Sequence, residues 1–108
     1  MRTEYINRVE LQGRVGTIRR QIIHSQMICN FSLQIEHLLK DSHGPDVCEV
    51  TWLQVCAFES DKVSTLGMSK GSLVHLVGRL RANRYTSADG VDRIFTEVIA
   101  DSLEVLEC

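Results

Sequence analysis

The chain's only tryptophan lies in the stretch WLQVCAF, residues 52–58, which is apolar on both of its alternating faces. In a β-strand successive side chains point to opposite sides. One face, which a core can take, then consists of Leu53, Val55 and Ala57. Trp52 and Phe58 lie on the other face, about 20 Å apart at the rise of a strand. This second apolar face needs a cover of its own, either another subunit or a strand of nucleic acid.

Arginine is concentrated in two segments, although the chain as a whole has a formal charge of −2. Residues 1–20 contain five arginines against two glutamates, and residues 79–93 contain four more against two aspartates. If the two segments meet in the fold, they form a basic stripe. A guanidinium can fork onto a phosphate or stack on a base, so this pattern fits a nucleic-acid partner as well as a solvated charged face.

No arrangement typical of an enzyme or a metal site is present. The four cysteines include no CxxC pair, and the four histidines lack ligand spacing, which argues against zinc. There is no Ser/His or Cys/His arrangement, no phosphate loop and no paired carboxylates. We therefore predict a binding protein, not an enzyme, with no metal or cofactor. Because there is neither a secretory leader nor a long apolar run, we expect a cytoplasmic protein with reduced thiols and no membrane span.

Alternating patterns predict one domain over residues 1–108 with five strands, at residues 5–18, 28–36, 48–58, 73–85 and 93–100. Between the third and fourth strands, Ser60 as an N-cap, Val63 and Leu66 at helical spacing, and Gly71 as a stop predict a short helix. This order predicts an all-β, five-stranded Greek-key OB-fold barrel with one short helix between strands 3 and 4. A five-stranded sandwich is the alternative that strand count leaves open.

Five stretches of the chain resemble the bacterial single-stranded-DNA-binding protein family. They are NRVELQGRVG (7–16), NFSL (30–33), TWLQVCAF (51–58), KGSLVHLVGRLR (70–81) and DGVDRIFTEVIA (89–100). They cover nearly the whole chain in the family's order and at nearly its spacings. The resemblance implies sequence-independent binding of single-stranded DNA in replication, repair or recombination. Single-stranded RNA stays open, because nothing in the sequence reads a 2′-hydroxyl.

The resemblance also implies a role for each candidate site residue. Bases would stack on Trp52, Phe58 and Tyr85. Basic contacts to the backbone or bases would come from Lys70, Arg81 and Arg8, with Arg79 and Arg84 added from the same basic segment. In physical terms, every base has a π-face, each stacked base is worth about 1–3 kcal/mol, and cationic side chains follow the phosphates.

Departures from the family pattern predict weaker binding than is typical of its members. Leu39 stands where the family often has an aromatic residue, Gln54 where a basic residue is common, and Tyr85 where a tryptophan is usual. The chain also ends at Cys108, without the family's flexible linker and acidic C-terminal tail. Tail-mediated replication partners are therefore not expected. This fits either a shortened chain or a small paralogue that binds strands without recruiting partners.

Assembly follows from the same resemblance. We expect a homotetramer, with a dimer second, at a cytoplasmic, nucleoid-associated location. Two alternatives remain. One is a primosomal-type dimeric OB protein with weaker single-strand binding that docks onto a helicase. The other is an OB protein-interaction module without DNA binding, which the charge of −2 and Gln54 would suit.

Overall fold

Five strands form a closed barrel in the computed structural model, which describes residues 3–40, 44 and 46–108. Around the barrel the order is β1-β2-β3-β5-β4, and β4 pairs with β1 to close it. All neighbours are antiparallel except β3 and β5, which run parallel. The strands are β1 (Val9–Ile23), β2 (Gln26–Leu39), β3 (Val47–Phe58), β4 (Leu73–Thr86) and β5 (Asp92–Glu107). This closure confirms the predicted five-stranded OB-fold barrel and excludes the sandwich.

The inward faces of the strands form the core that the alternation predicts. At its centre the side chains that are at most 1% exposed include Cys29, Phe31, Leu33, Val55 and Ala57. Burying an aliphatic or aromatic side chain of this size stabilises the fold by about 1.5–3 kcal/mol. Leu53, also expected in the core, is only partly buried. It lies on the part of β3 that precedes Val55, where β3 does not pair with β5.

Two hairpins extend beyond the barrel. We call residues 34–39 with 47–52 the β2–β3 arm, and residues 80–86 with 92–97 the β4–β5 arm. Antiparallel pairing continues along each arm to the ends of its strands. Most of the arm side chains are exposed, because neither arm is covered by another part of the described chain.

The two arms meet only at their base. Strand β3 pairs with β5 at Val55 with Val98 and at Cys56 with Ile99, and at no other position among the described residues. Beyond this short ladder the two strands diverge. The barrel is thus closed at the base and open between the arms, so the side chains that flank the opening are accessible.

The predicted helix between β3 and β4 is wrong. Residues 59–72, which we call the cap segment, form turns and one isolated bridge, from Val63 to Leu103. Local bonds compete with the helix, because Ser60 and Val63 exchange backbone hydrogen bonds and Gly67 has a φ of +79°. No helix in the described part of the chain is long and apolar enough to cross a membrane.

The cap segment nevertheless packs onto the core. Val63, Thr65 and Met68 are all at most 3% exposed. The Arg20 guanidinium donates to the carbonyl oxygens of Thr65, at 3.2 Å, and of Met68, at 2.9 Å. The Glu59 carboxylate accepts both the backbone N–H of Thr65, at 2.7 Å, and its hydroxyl. Charged side chains therefore hold in place a segment that has no ladder of its own.

We predict that Glu59→Ala destabilises the protein by about 1–3 kcal/mol, because it leaves two buried donors of Thr65 without an acceptor. Urea unfolding monitored by circular dichroism measures the change. Asp61→Ala is the matched control, since it removes an exposed carboxylate from the same segment. Equal destabilisation by the two variants would show that the Glu59–Thr65 bonds do not hold the cap.

Candidate nucleic-acid interface

Trp52 lies on the outer face of β3, opposite Gln34 of β2, and is 56% exposed. Its six-membered ring lies over Gly16 of β1, where a Cβ would come within 2.9 Å of the ring atom Cζ3. The same Cβ would come even closer to the Ser32 hydroxyl oxygen, so glycine at this position leaves room for both the Ser32 side chain and the ring. Gly16 is therefore a positioning residue for Trp52.

Gly16 belongs to a β-bulge. The β1–β2 register shifts between Val15 and Ile18, so that Gly16 and Thr17 together face Ser32. The Ser32 hydroxyl accepts the Thr17 N–H at 2.9 Å. It thus satisfies a donor that the bulge removes from the ladder. The bulge therefore forms the part of β1 that lies beneath the tryptophan.

Phe58 is the last residue of β3 and lies on the same outer face as Trp52, opposite Ile28. It is 37% exposed, so it is accessible but less so than the tryptophan. Between them, Cys56 is buried although it points outward. The two aromatic residues are therefore separate platforms, one at each end of a stretch whose middle is packed.

The outer face continues from β3 across β5 to β4. Cys56 pairs with Ile99, and Ile99 pairs in turn with Arg79, so all three share one surface. Along β4 the same parity includes Arg81, Asn83 and Tyr85. The structure thus brings Trp52 and Phe58 onto one continuous face with Arg79, Arg81 and Tyr85.

Arg8 and Lys70 lie at the margins of this face. The Asn7 amide exchanges two hydrogen bonds with the Leu80 backbone, at 2.8 and 2.9 Å, which aligns Arg8 with Arg79 across the β1–β4 pairing. Lys70 precedes Gly71, whose N–H donates to Val15 just before the bulge. The backbone at Lys70 therefore lies beside the part of β1 that the Trp52 ring contacts.

Acidic side chains accompany the arginines of β4. The Arg81 guanidinium donates from Nε, at 3.0 Å, and from Nη2 to one carboxylate oxygen of Glu97, which is 9% exposed. Asn83 donates to the same oxygen at 3.4 Å. Arg79 forms an ion pair with Asp101. Arg81 is thus held against a nearly buried carboxylate and Arg79 has a half-exposed acidic neighbour, neither of which the sequence revealed.

Two predicted residues occupy unexpected faces. Arg84 pairs with Ile94 on the opposite side of the β4–β5 arm from Tyr85, so it is not part of the outer face. Leu39, the position of the missing aromatic, pairs with Val47 and shares the parity of the core residues Val55 and Ala57. Residue 38, not 39, has the parity of Trp52.

Phe95 is an aromatic residue of the outer face that the sequence analysis did not identify as a site residue. It pairs with Asn83 and is 40% exposed. Its side of the strand follows from the β4–β5 register. Alternation within RIFTEVIA puts residue 95 on the other face of the strand from the core residue Val98. This alternation is the sequence signal that could have identified Phe95 as an outer-face residue.

The described residues contain no group of three His, Cys, Asp or Glu side chains placed to hold a metal ion. A cavity of about 490 Å³ lies beside the cap segment and is bordered also by Arg20 and Met27. None of its lining residues belongs to the outer face. The candidate site is therefore an open surface and not an enclosed pocket.

Burial raises the pKa of the Cys29 and Cys56 thiols above 9.0; Glu97 adds to the rise at Cys56, and Arg81 opposes it. Cys48 and Cys108 are exposed.

We predict that iodoacetamide at pH 8 alkylates the two exposed thiols and spares the two buried ones until the protein is unfolded, as measured by peptide mass spectrometry. Stability from the neutral buried thiols is complete below pH 9 and is lost as pH rises through their folded-state pKa values. Rapid alkylation of Cys56 in the folded protein would contradict its packed position.

We predict that Gly16→Ala displaces the Trp52 ring, because a methyl group cannot fit between the ring and the strand. The near-ultraviolet circular dichroism of the single tryptophan should change, and acrylamide should quench its fluorescence more efficiently. Thr17→Ala, at the next position of the same bulge, is the control that leaves the ring contact intact. Identical tryptophan spectra for Gly16→Ala and the parent chain would show that Gly16 does not position the ring.

Comparisons with known proteins agree with this geometry. The single-stranded DNA-binding protein of Neisseria meningitidis serogroup A is 27% identical over 104 residues, which are 94% of this chain and 60% of that protein. The single-stranded DNA-binding protein 1 of Clostridium acetobutylicum is 28% identical, over 94% of each chain.

The same barrel occurs in a Plasmodium falciparum SSB solved in complex with ssDNA. It has a TM-score of 0.81 and 19% identity over 100% of this chain and 99% of that one. The Thermus aquaticus single-stranded DNA binding protein has a TM-score of 0.75 and 21% identity, over 94% of this chain and 51% of that one. These two likenesses establish the fold. The model of the single-strand binding protein family matches residues 6–106, and the chain belongs to that family.

Proposed function

We propose that this chain, as one OB-fold domain, binds single-stranded DNA without sequence preference in replication, repair or recombination. The observation that carries the proposal is the half-exposed Trp52, resting on Gly16 of the barrel face in a chain of this family. An indole that is half exposed on the barrel face offers a π-surface on which any base can stack. Phe58 and Tyr85 would provide further stacking platforms on the same face.

The phosphates would be contacted by Lys70, Arg8, Arg79 and Arg81. Two of these cations differ from the others, because Arg79 and Arg81 already have carboxylate partners. A phosphate must share these arginines with their carboxylate partners or replace those partners. Each of the two arginines therefore attracts a phosphate less than a cation without a partner would. Arg84, on the opposite face of its arm, would contribute to the field around the site but would not contact a base there. Stacking should therefore supply most of the affinity.

The proposed activity is binding and not catalysis, since the outer face contains aromatic and basic groups but no aligned nucleophile and base. We infer a homotetramer, with a dimer second, in the cytoplasm at the nucleoid. Exposed apolar side chains away from the outer face, including Ile22 and Ile6, support an assembly because a further subunit would bury them. Single-stranded RNA could occupy the same platforms.

The test is a titration with oligo-dT, following the fluorescence of Trp52 at several salt concentrations. We expect strong quenching. We also expect the logarithm of the binding constant to fall linearly with the logarithm of the salt concentration, with a slope of about −0.7 for each phosphate contact. An unchanged signal, with no binding by fluorescence anisotropy of a labelled oligonucleotide, would refute the proposal. Binding that is insensitive to salt would point instead to an apolar docking face, as in the protein-interaction alternative.

Variants separate stacking from charge in the same experiment. Trp52→Ala should weaken binding about 5- to 150-fold by anisotropy, which corresponds to the loss of one stacked base. Leu66→Ala, an exposed residue of the cap segment, is the matched control and should bind like the parent chain. Lys70→Ala should reduce the salt slope. Arg81→Ala is not a clean probe, because it also leaves the buried carboxylate of Glu97 without its main partner.

A further inference from the structure

We propose that Phe95 is an additional base-stacking platform, which works with Tyr85 on the β4–β5 arm. The inference rests on the proposed function and extends it to a residue that the resemblance did not assign. Its ligand is a nucleobase of a single strand that crosses the opening between the two arms.

The register places the Phe95 ring on the correct face. Phe95 pairs with Asn83, and Tyr85 pairs with Arg93, so the two aromatic residues are diagonal neighbours across the β4–β5 ladder. Residues in this relation lie about 7–8 Å apart, within reach of aromatic side chains. Adjacent bases in a single strand can therefore occupy the two rings in succession.

Phe95 and Trp52 also lie at the same distance above the β3–β5 ladder, on the two sides of the opening. Trp52 is three residues before Val55 on β3, and Phe95 is three residues before Val98 on β5, while Val55 and Val98 are partners in the short parallel ladder. Because the strands run parallel, the same number of residues brings both side chains about 10 Å above that ladder. Both have the outward parity. Trp52 and Phe95 therefore occupy matching positions on the outer face of the two arms, with the Trp52 ring directed toward β1 and Phe95 on the other side of the opening.

The chemistry of Phe95 restricts what it can do there. Its side chain has no polar atom, so it can contribute only apolar contact and its π-face. At 40% exposed it adds little to the core, and its neighbour across the ladder is the polar Asn83. Single exposed apolar residues are common on protein surfaces. This one differs because a second aromatic, Tyr85, and a cation, Arg93, adjoin it on the same face.

The test compares oligo-dT binding by anisotropy for Phe95→Leu, which keeps the apolar bulk but loses the π-face, and Phe95→Tyr, which keeps both. We expect Phe95→Leu to weaken binding about tenfold and Phe95→Tyr to bind like the parent chain. The slope against salt should not change, because no phosphate contact is lost. Ile94→Ala is the matched control, since Ile94 is the exposed neighbour on the opposite face of the arm.

A second variant reads the contact directly. In a Trp52→Phe background, Phe95→Trp places the only tryptophan at this position, and oligo-dT should quench it. If the parent chain binds oligo-dT while Phe95→Leu binds equally and Phe95→Trp is not quenched, this inference is overturned and the proposed function stands. Loss of binding by the parent chain overturns both. Conversion of the oligomer to monomers by Phe95→Leu, measured by sedimentation, would instead assign the ring to a subunit interface and overturn the inference.

Discussion

The short parallel ladder between β3 and β5 determines most of the other features of this molecule. Two residue pairs, Val55 with Val98 and Cys56 with Ile99, close the barrel and are themselves almost fully buried. The ladder joins the two ends of the antiparallel sheet β3-β2-β1-β4-β5, which closes it around one core and removes the edges at that level. Because the ladder stops after two pairs, the same strands diverge above it. One short contact therefore both completes the core and opens the surface between the arms.

Charge on the outer face is balanced locally and not across the whole chain. Glu97 is nearly buried, and its carboxylate receives bonds from Arg81 and Asn83. A buried carboxylate without a partner would be costly, so the arginine is needed for stability as well as for any phosphate. Pairing also removes much of the positive field that the arginine count suggests. A face of this kind attracts a polyanion weakly at long range and depends on contact with aromatic rings for its affinity.

Much of the barrel could be predicted from the sequence, because alternation with period two directly encodes which side of a strand is buried. The inward residues Phe31 and Val55 and the outward Trp52 follow from it. The cap segment could not be predicted in the same way, since helical spacing at Val63 and Leu66 was outweighed by local bonds from Glu59 to Thr65 and by bonds from Arg20 of β1. The Arg20 bonds join residues 45 and 48 positions apart, so they require that β1 and the cap segment already lie side by side.

The extent of the strands was also beyond the sequence. The turn at His24 and Ser25 has positive φ at both residues, at 50° and 66°, without the Asn-Gly or Asp-Gly signal that usually indicates such a turn. The first strand was therefore predicted to end five residues early. For the candidate site, residue types identified Trp52 and Tyr85, but only the register shows that Arg84 faces away. Ion pairs such as Arg79 with Asp101 likewise require knowledge of which strands are neighbours.

The opening between the arms bears on how the proposed site can accept bases of different size. In the described structure no ladder hydrogen bond joins β3 to β5 above Cys56 and Ile99, so the separation of the rings on the two arms is not fixed by the backbone. The Trp52 ring contacts Gly16 of β1, whereas the backbone of Tyr85 is fixed by its pairing with Arg93 on β5. Purines and pyrimidines differ in size but share a flat face. If bases stack on these rings as we propose, either kind can be accepted, because stacking needs only the flat face and no β3–β5 pairing fixes the spacing of the two arms.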